Sequence, residues 1–272
     1  MFEHMKGTPA NVSHGFLHAV PGNLIRGKAK VFLEIFAGSC RIAIALARLG
    51  LPAESFEINR SNVENVMCPK TRKNIIRRIR DKRCSGTWLG VSCSSWTRAR
   101  RAPVDSKMPS PLRGDDASSI WGLPGLSETD QARVKGGNAT ALFAIEVFRA
   151  CLDSKTPCVI ENPLTSRLWK IPQLQDLISQ IEKLEIGSSV VFNHCGFGSD
   201  FCKPTKLVCC HIDLSDLIRR CHPRPLCSFT GLPHVILSGS SGKQWATAEA
   251  SRYPVQFCNR FAKTLQNQID KK

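Results

Sequence analysis

A short apolar run that closes in a tight small-residue turn and passes directly into a helix is the feature that most restricts what this chain can fold into. Val31 to Phe36 (VFLEIF) reads as a buried strand. The turn Ala37-Gly38-Ser39 follows, and Arg41 to Leu49 (RIAIALARL) continues at helical spacing until Gly50 stops it. The same alternation recurs. Strands are predicted over Ala53–Ile58, Thr87–Val91, Pro157–Ile160, Ser189–Asn193 and Lys206–Cys209, and helices over Thr71–Arg83, Asn138–Leu152, Gln173–Leu184 and Pro254–Gln268. Alternating strands and helices imply an α/β fold with a doubly wound, mostly parallel sheet. Right-handed crossovers then bring the strand ends to one edge, where ligands bind in such sheets.

The 272 residues suffice for one large α/β domain with a small appendage. Residues 1–29 read as a polar leader, and the polar segment Thr97–Gly137 as a mobile loop or insertion. The expected organisation is one catalytic unit over 30–207 plus 251–272, with a small irregular insertion, rich in Cys, Pro, Gly and Ser, over 208–250. With 42% hydrophobic residues a core can be buried, so global disorder is excluded. The formal charge of +16 points to a polyanionic partner, nucleic acid before others. Neither a secretory leader nor a membrane-length apolar run is seen, and 13 cysteines then imply a reducing, intracellular setting with mostly free thiols. The nucleus is the expected compartment in a eukaryote and the cytoplasm otherwise.

Five segments carry candidate chemistry. Glu34-Ile35-Phe36-Ala37-Gly38-Ser39-Cys40-Arg41 is a strand–turn–helix that can bring backbone N–H groups to a ligand, although many α/β folds use such a turn for packing alone. Glu57 lies 19 residues beyond Gly38, the position at which an acid accepts from ribose hydroxyls in cofactor-binding α/β units. In Gly90-Val91-Ser92-Cys93-Ser94-Ser95-Trp96-Thr97 a cysteine ends a strand near Arg98, Arg100 and Arg101. It is a partly exposed thiol with a depressed pKa or else a buried structural cysteine. Glu161-Asn162-Pro163 sets a carboxylate after a buried strand, either as a proton donor facing Cys93 or as a helix cap. Lys203 and Lys206 can clamp a phosphate or steady an active-site anion.

In their order these segments resemble the cytosine-5 DNA methyltransferases over roughly residues 31–265. Glu34 to Cys40 is similar to the family's cofactor turn, Gly90 to Thr97 to its nucleophile loop, Leu142 to Pro163 to its helix, strand and Glu-Asn-Val segment, Phe197 to Leu207 to its basic segment, and Arg252 to Leu265 to its last motif. The resemblance implies a Rossmann-like methyltransferase fold and S-adenosyl-L-methionine as cofactor, with a flipped cytosine in duplex DNA as substrate. It places Cys93 as nucleophile, Glu161 as the group at ring nitrogen 3, Asn162 as the anchor of the nucleophile loop, and Lys203 and Lys206 in the catalytic set. Glu34, Phe36, Ala37, Gly38, Ser39, Cys40, Glu57, Ile58 and Asn65 would hold the cofactor, with Glu64 an alternative to Asn65, and Arg98, Arg100 and Arg101 would contact phosphates. Departures are Cys40 for the turn's last glycine, Ser92 for proline, Ser94 for glutamine, Pro163 for valine, and lysines for arginines. A catalytically inactive nucleic-acid binder, or a methyltransferase for RNA, protein or a small molecule, are the alternatives. Cys202, Cys209, Cys210, His211, Cys221, His222, Cys227 and His234 crowd one region, but their spacing fits no standard zinc finger. Free thiols and no metal site are the expectation there.

Overall fold

The computed structural model describes residues 16–18, 29–100, 110–222, 225–237, 240–241, 244–245 and 250–271. Along the chain these form β1 (Phe16–His18), β2 (Val31–Ile35), α1 (Arg41–Arg48), β3 (Ala53–Phe56), α2 (Pro69–Arg80), β4 (Cys84–Gly90), α3 (Glu128–Ser154), β5 (Cys158–Pro163), α4 (Pro172–Lys183), β6 (Gly187–Asn193), β7 (Pro204–Cys210), the short pair β8 (Ser240–Ser241) and β9 (Gln244–Trp245), and α5 (Val255–Ile269).

Seven strands make one sheet in the order β1-β3-β2-β4-β5-β7-β6. The four central strands β3, β2, β4 and β5 run parallel, while β1 and β7 are antiparallel to their neighbours. Period-two alternation sorts the side chains of β2: Phe32 packs toward α1 and α5, and Leu33 and Ile35 pack toward α2, α3 and α4. Helices therefore cover both faces, the doubly wound arrangement expected from the alternation of elements. The face under α5 is aromatic. Trp88 on β4 meets Phe257 and Phe261 edge-on, with ring centroids 5.8 and 4.9 Å apart. None of the helices among the described residues is long and apolar enough to cross a membrane.

The pairing register decides where the site can be. Ile35 is opposite Phe56 and Leu89, and Gly90 is opposite Glu161, so the carboxyl ends of the four parallel strands finish level. From β2 the chain crosses one way to β3 and then back past β2 to β4. That reversal is a topological switch point, where open α/β sheets leave a crevice.

Three expectations are corrected. Part of the leader, Phe16–His18, is an edge strand that pairs with β3 and satisfies its outer hydrogen bonds. The sheet continues past residue 207, since Val208, Cys209 and Cys210 are fully buried in β7. The segment Thr97–Gly137 is not one long loop: α3 begins at Glu128, capped by Ser127, whose side chain accepts from the Asp130 N–H (3.2 Å). Gly136 and Gly137 read as a break, yet both are helical. A Cβ at Gly137 would lie 2.2 Å from Ser95 Oγ and 2.7 Å from Arg113 Nη2, whereas one at Gly136 would meet nothing within 4 Å. Gly136→Ala should therefore raise stability by about 0.5–1 kcal/mol through helix propensity. Gly137→Ala should lower it by about 1–3 kcal/mol through overpacking, with thermal unfolding of the two variants as the measurement.

Candidate active site

A cleft of about 510 Å³ opens at the carboxyl ends of β2, β3, β4 and β5. Its walls bring together Phe36, Ala37, Gly38 and Ser39 from the first turn, Glu57, Ile58 and Asn65 after β3, Cys93 after β4, Glu161 on β5, and Lys203 ahead of β7. Hollows of similar size lie elsewhere. One at the amino ends of the strands, lined by Lys30, Cys84, Pro157 and His211 among others, is away from these groups.

The first turn is built from left-handed backbone. Phe36, Gly38 and Cys40 have φ of 59°, 52° and 56°. The non-glycine residues there carry strain that the surroundings must hold, as is common at ligand sites. Glu57 closes the turn onto the next one, its two carboxylate oxygens accepting from the N–H groups of Gly38 (2.8 Å) and Asn59 (2.9 Å). Glu64, the alternative to Asn65, is buried and engaged: Arg60 pairs with it, and it accepts from the Glu57 N–H at 2.9 Å. Asn65 accepts from Met67 N–H with its Oδ1. Ile58 is half exposed on the cleft wall.

Two residues of the expected cofactor set stand behind the turn. Glu34 is fully buried beneath α1 and accepts from the Ala43 N–H (2.8 Å), which supplies the cap that Cys40 does not give. Burial raises its pKa to about 8, against hydrogen bonds from Ala43 and Ile42 that lower it. Cys40 keeps the left-handed backbone of the glycine it replaces, but its Sγ faces Arg60, which donates to it at 2.6 Å.

The loop after β4 is fixed from three sides. Asn162 is buried and donates to the Val91 carbonyl (2.7 Å). The carbonyl of Trp96 accepts from Arg167 N–H. Arg113, fully buried, donates to Ser95 O, Ser95 Oγ, Ile120 O, Asn138 Oδ1 and Val134 O, and stacks 3.4 Å from the Trp96 ring centroid. Cys93 itself stays half-buried.

Glu161 is fixed from below. Trp88 Nε1–H donates to Tyr253 Oη (3.2 Å), and Tyr253 O–H donates to Glu161 Oε2 (2.7 Å), while Glu161 Oε1 has no partner. Burial raises the Glu161 pKa, and Lys203 and Tyr253 oppose it. Burial likewise raises that of Cys93, with Lys203 lowering it and Glu161 raising it further. Thiol, carboxyl and ammonium thus share one field, but the depressed thiol expected from nearby arginines is not found. Those arginines are committed elsewhere. Arg98 forks onto Asp115 and Thr165 O, and Arg100 reaches Asp130 and Ser110 O. Neither lines the cleft; Arg101 lies outside the described residues. Lys206 is also off the site: it stands opposite Asn162 on β7 and its Nζ lies 5.1 Å from the Trp169 ring, toward the other side of the sheet from Glu161.

No protein-family model matches the chain, and no curated protein sequence matches it. Among solved structures it is similar to the Entamoeba histolytica methyltransferase EhMeth, with a TM-score of 0.38 and 13% identity over 70% of this chain and 55% of that one. The chain thus spans little more than half the length of that protein.

Tyr253, with Thr140, Ser251 and Arg252, was not singled out from the sequence, yet all four line the cleft. Tyr253 is the chain's one tyrosine and sits inside the Arg252 to Leu265 segment, which was the signal available. A further check concerns Glu34. Its buried carboxyl titrates near about 8 and an unfolded one near 4.5, so its stabilisation is full below pH 4.5 and is lost as pH rises to about 8. Glu34→Gln should flatten that decline in a profile of Tm against pH.

Proposed function

We propose that this chain is an S-adenosylmethionine-dependent methyltransferase that methylates carbon 5 of cytosine in DNA through Cys93. The observation that carries the reading is the meeting of Cys93, Glu161 and Lys203 at one end of a cleft whose other end is the Gly38 turn and Glu57. That second end suits a nucleoside-bearing cofactor. No atom lies within 4 Å of where a Gly38 Cβ would be, so a ligand can approach the backbone. Each Glu57 oxygen holds one N–H and has capacity left to accept from a ribose hydroxyl. Ile58 offers an apolar surface to a base, and Asn65 a polar edge. Bound there, S-adenosylmethionine would supply an electrophilic methyl group.

At the other end, Cys93 gives up its proton to solvent and its Sγ adds to ring carbon 6 of a cytosine flipped out of the duplex. Glu161, whose pKa burial raises, donates in its protonated form at ring nitrogen 3, and this draws the electron pair released by the addition toward carbon 5. Once carbon 5 carried the methyl group, its proton would pass to solvent and the electron pair left behind would re-form the 5,6 double bond, releasing the Cys93 thiolate. Tyr253 fixes the carboxyl, Asn162 fixes the base of the loop at Val91, and Lys203 steadies the Cys93 thiolate. No catalytic part is assigned to Lys206. With Arg98 and Arg100 paired internally, phosphate contacts fall to other cations, and exposed Arg252 stands at the rim. The charge of +16 supports a nucleic-acid partner. The raised Cys93 thiol favours one second reading, a catalytically inactive nucleic-acid binder.

Transfer of a labelled methyl group to duplex DNA, RNA and protein in parallel tests the proposal. Duplex DNA should be labelled. Cys93→Ser should lower the rate by at least about 10³-fold with cofactor binding by calorimetry unchanged. Because Cys93 must lose a proton and its pKa is raised, the rate should climb from neutral to alkaline pH. Equal labelling by wild type and Cys93→Ser contradicts the assignment.

A further inference from the structure

The three thiols and one imidazole gathered beyond the end of β6 form a second, separate site. Sγ of Cys195, Cys221 and Cys227 and a ring nitrogen of His234 all lie within 4.8 Å of one another, with the three cysteines buried. We infer that these four residues bind one structural zinc ion. The inference does not rest on the methyltransferase reading.

The dimensions match. A tetrahedral zinc with Zn–S of about 2.3 Å and Zn–N of about 2.0–2.1 Å has S···S edges near ~3.8 Å and S···N edges near ~3.6 Å. Here Cys221 Sγ and Cys227 Sγ are 3.8 Å apart, and Cys221 Sγ is 3.7 Å from His234 Nε2. A disulfide would need the sulfurs at about 2.05 Å, and all of the cysteines are free. The sulfurs are also dressed as metal-bound thiolates are. Ser228 N–H points at Cys221 Sγ and Phe229 N–H at Cys227 Sγ, each at 3.4 Å. Soft thiolates with one imidazole select zinc over the hard cations that take oxygen ligands. With all four positions filled by protein, the site is of the closed, structural kind.

A second observation asks for a ligand independently. Among its described residues the segment 221–237 has almost no apolar core of its own. Its buried cluster is Cys195, Cys221 and Cys227, with Cys202 packed against them, while Leu226, Phe229, Leu232, Val235 and Ile236 face solvent. So little buried apolar area does not hold a short irregular segment, and small units of this kind use a metal in its place. Local hydrogen bonds shape the loop around the thiols: Gly231 N–H to Cys227 O, Cys227 N–H to Leu232 O, and Val235 N–H to Asp200 O. Cys195 sits in the single helical turn His194–Phe197 that leaves β6, so the ion would staple this segment to the sheet. Asn193, the last residue of β6, accepts from the Cys221 N–H (3.0 Å) and donates to Cys202 Sγ (2.9 Å), which keeps Cys202 beside the set as a neighbour. The same turn receives Lys203, whose carbonyl accepts from His194 N–H. The ion would thereby also steady the approach to the cleft.

The test is metal content of the full chain purified under reducing conditions, followed by cobalt titration after chelation. About one zinc per chain is expected, together with the visible absorption of tetrahedral cobalt thiolate on titration. Cys221→Ser and Cys227→Ser should lower zinc retention at least about tenfold. Cys68→Ser, at an exposed cysteine away from the cluster, and His234→Cys, which keeps four ligands, should retain it. If the serine variants do not fold, the cobalt spectrum of wild type decides. A wild-type chain with neither zinc nor that spectrum, a Cys221–Cys227 disulfide found by mass spectrometry, or zinc retained equally in both serine variants would overturn the inference.

Discussion

A guanidinium buried on neutral partners holds the loop after β4 in place. Arg113 lies in the interior with its five hydrogen bonds all going to carbonyl, hydroxyl and amide oxygens and its plane over Trp96. Burial lowers its pKa to about 10. A buried cation is tolerated only where such donors are satisfied. Here the satisfaction is spread over Ser95 in the loop, Ile120 in the segment before α3, and Val134 and Asn138 on α3. The loop cannot move without stranding several donors. Gly137 belongs to the same arrangement, since the close approach of loop and helix leaves no room for a side chain there.

The electrostatics of the cleft follow from its depth. Cys93 and Glu161 are both pushed toward their neutral forms by burial, and Lys203 pulls both the other way. Tyr253 leaves one oxygen of Glu161 unpartnered, and the indole of Trp88 fixes Tyr253 in turn. The aromatic underside of α5 is thus continuous with the polar groups at the strand tips.

Much of this was legible in the sequence because parallel strands write long apolar runs and end in small-residue turns. The VFLEIF strand, its turn and the helix after it stand where the pattern puts them. Cys93 and Glu161 share a cleft because one follows β4 and the other stands near the carboxyl end of β5, neighbouring strands of one parallel set. What stayed hidden was set by tertiary contacts. The amino-terminal half of α3 was obscured by Gly136-Gly137, since one glycine is demanded by Arg113 and Ser95 from another part of the chain. Lys206 was grouped with Lys203, but a spacing of three in extended chain places the two on opposite sides. The edge strand Phe16–His18 has too few residues to carry a pattern. Linear spacing within 202–234 does not reveal the Cys/His cluster, because its fourth member, Cys195, comes from the other side of Lys203.

The most direct measurement is covalent capture on duplex DNA in which cytosine carries fluorine at carbon 5. If Cys93 adds to carbon 6 and carbon 5 is then methylated, as proposed, fluorine cannot leave as a proton does, and the adduct persists. With S-adenosylmethionine present, a denaturation-resistant complex should form, and peptide mapping should place the DNA on Cys93 and on no other of the 13 cysteines. A chain that binds the cofactor and the duplex yet gives no adduct, or gives one at a different thiol, would contradict the account.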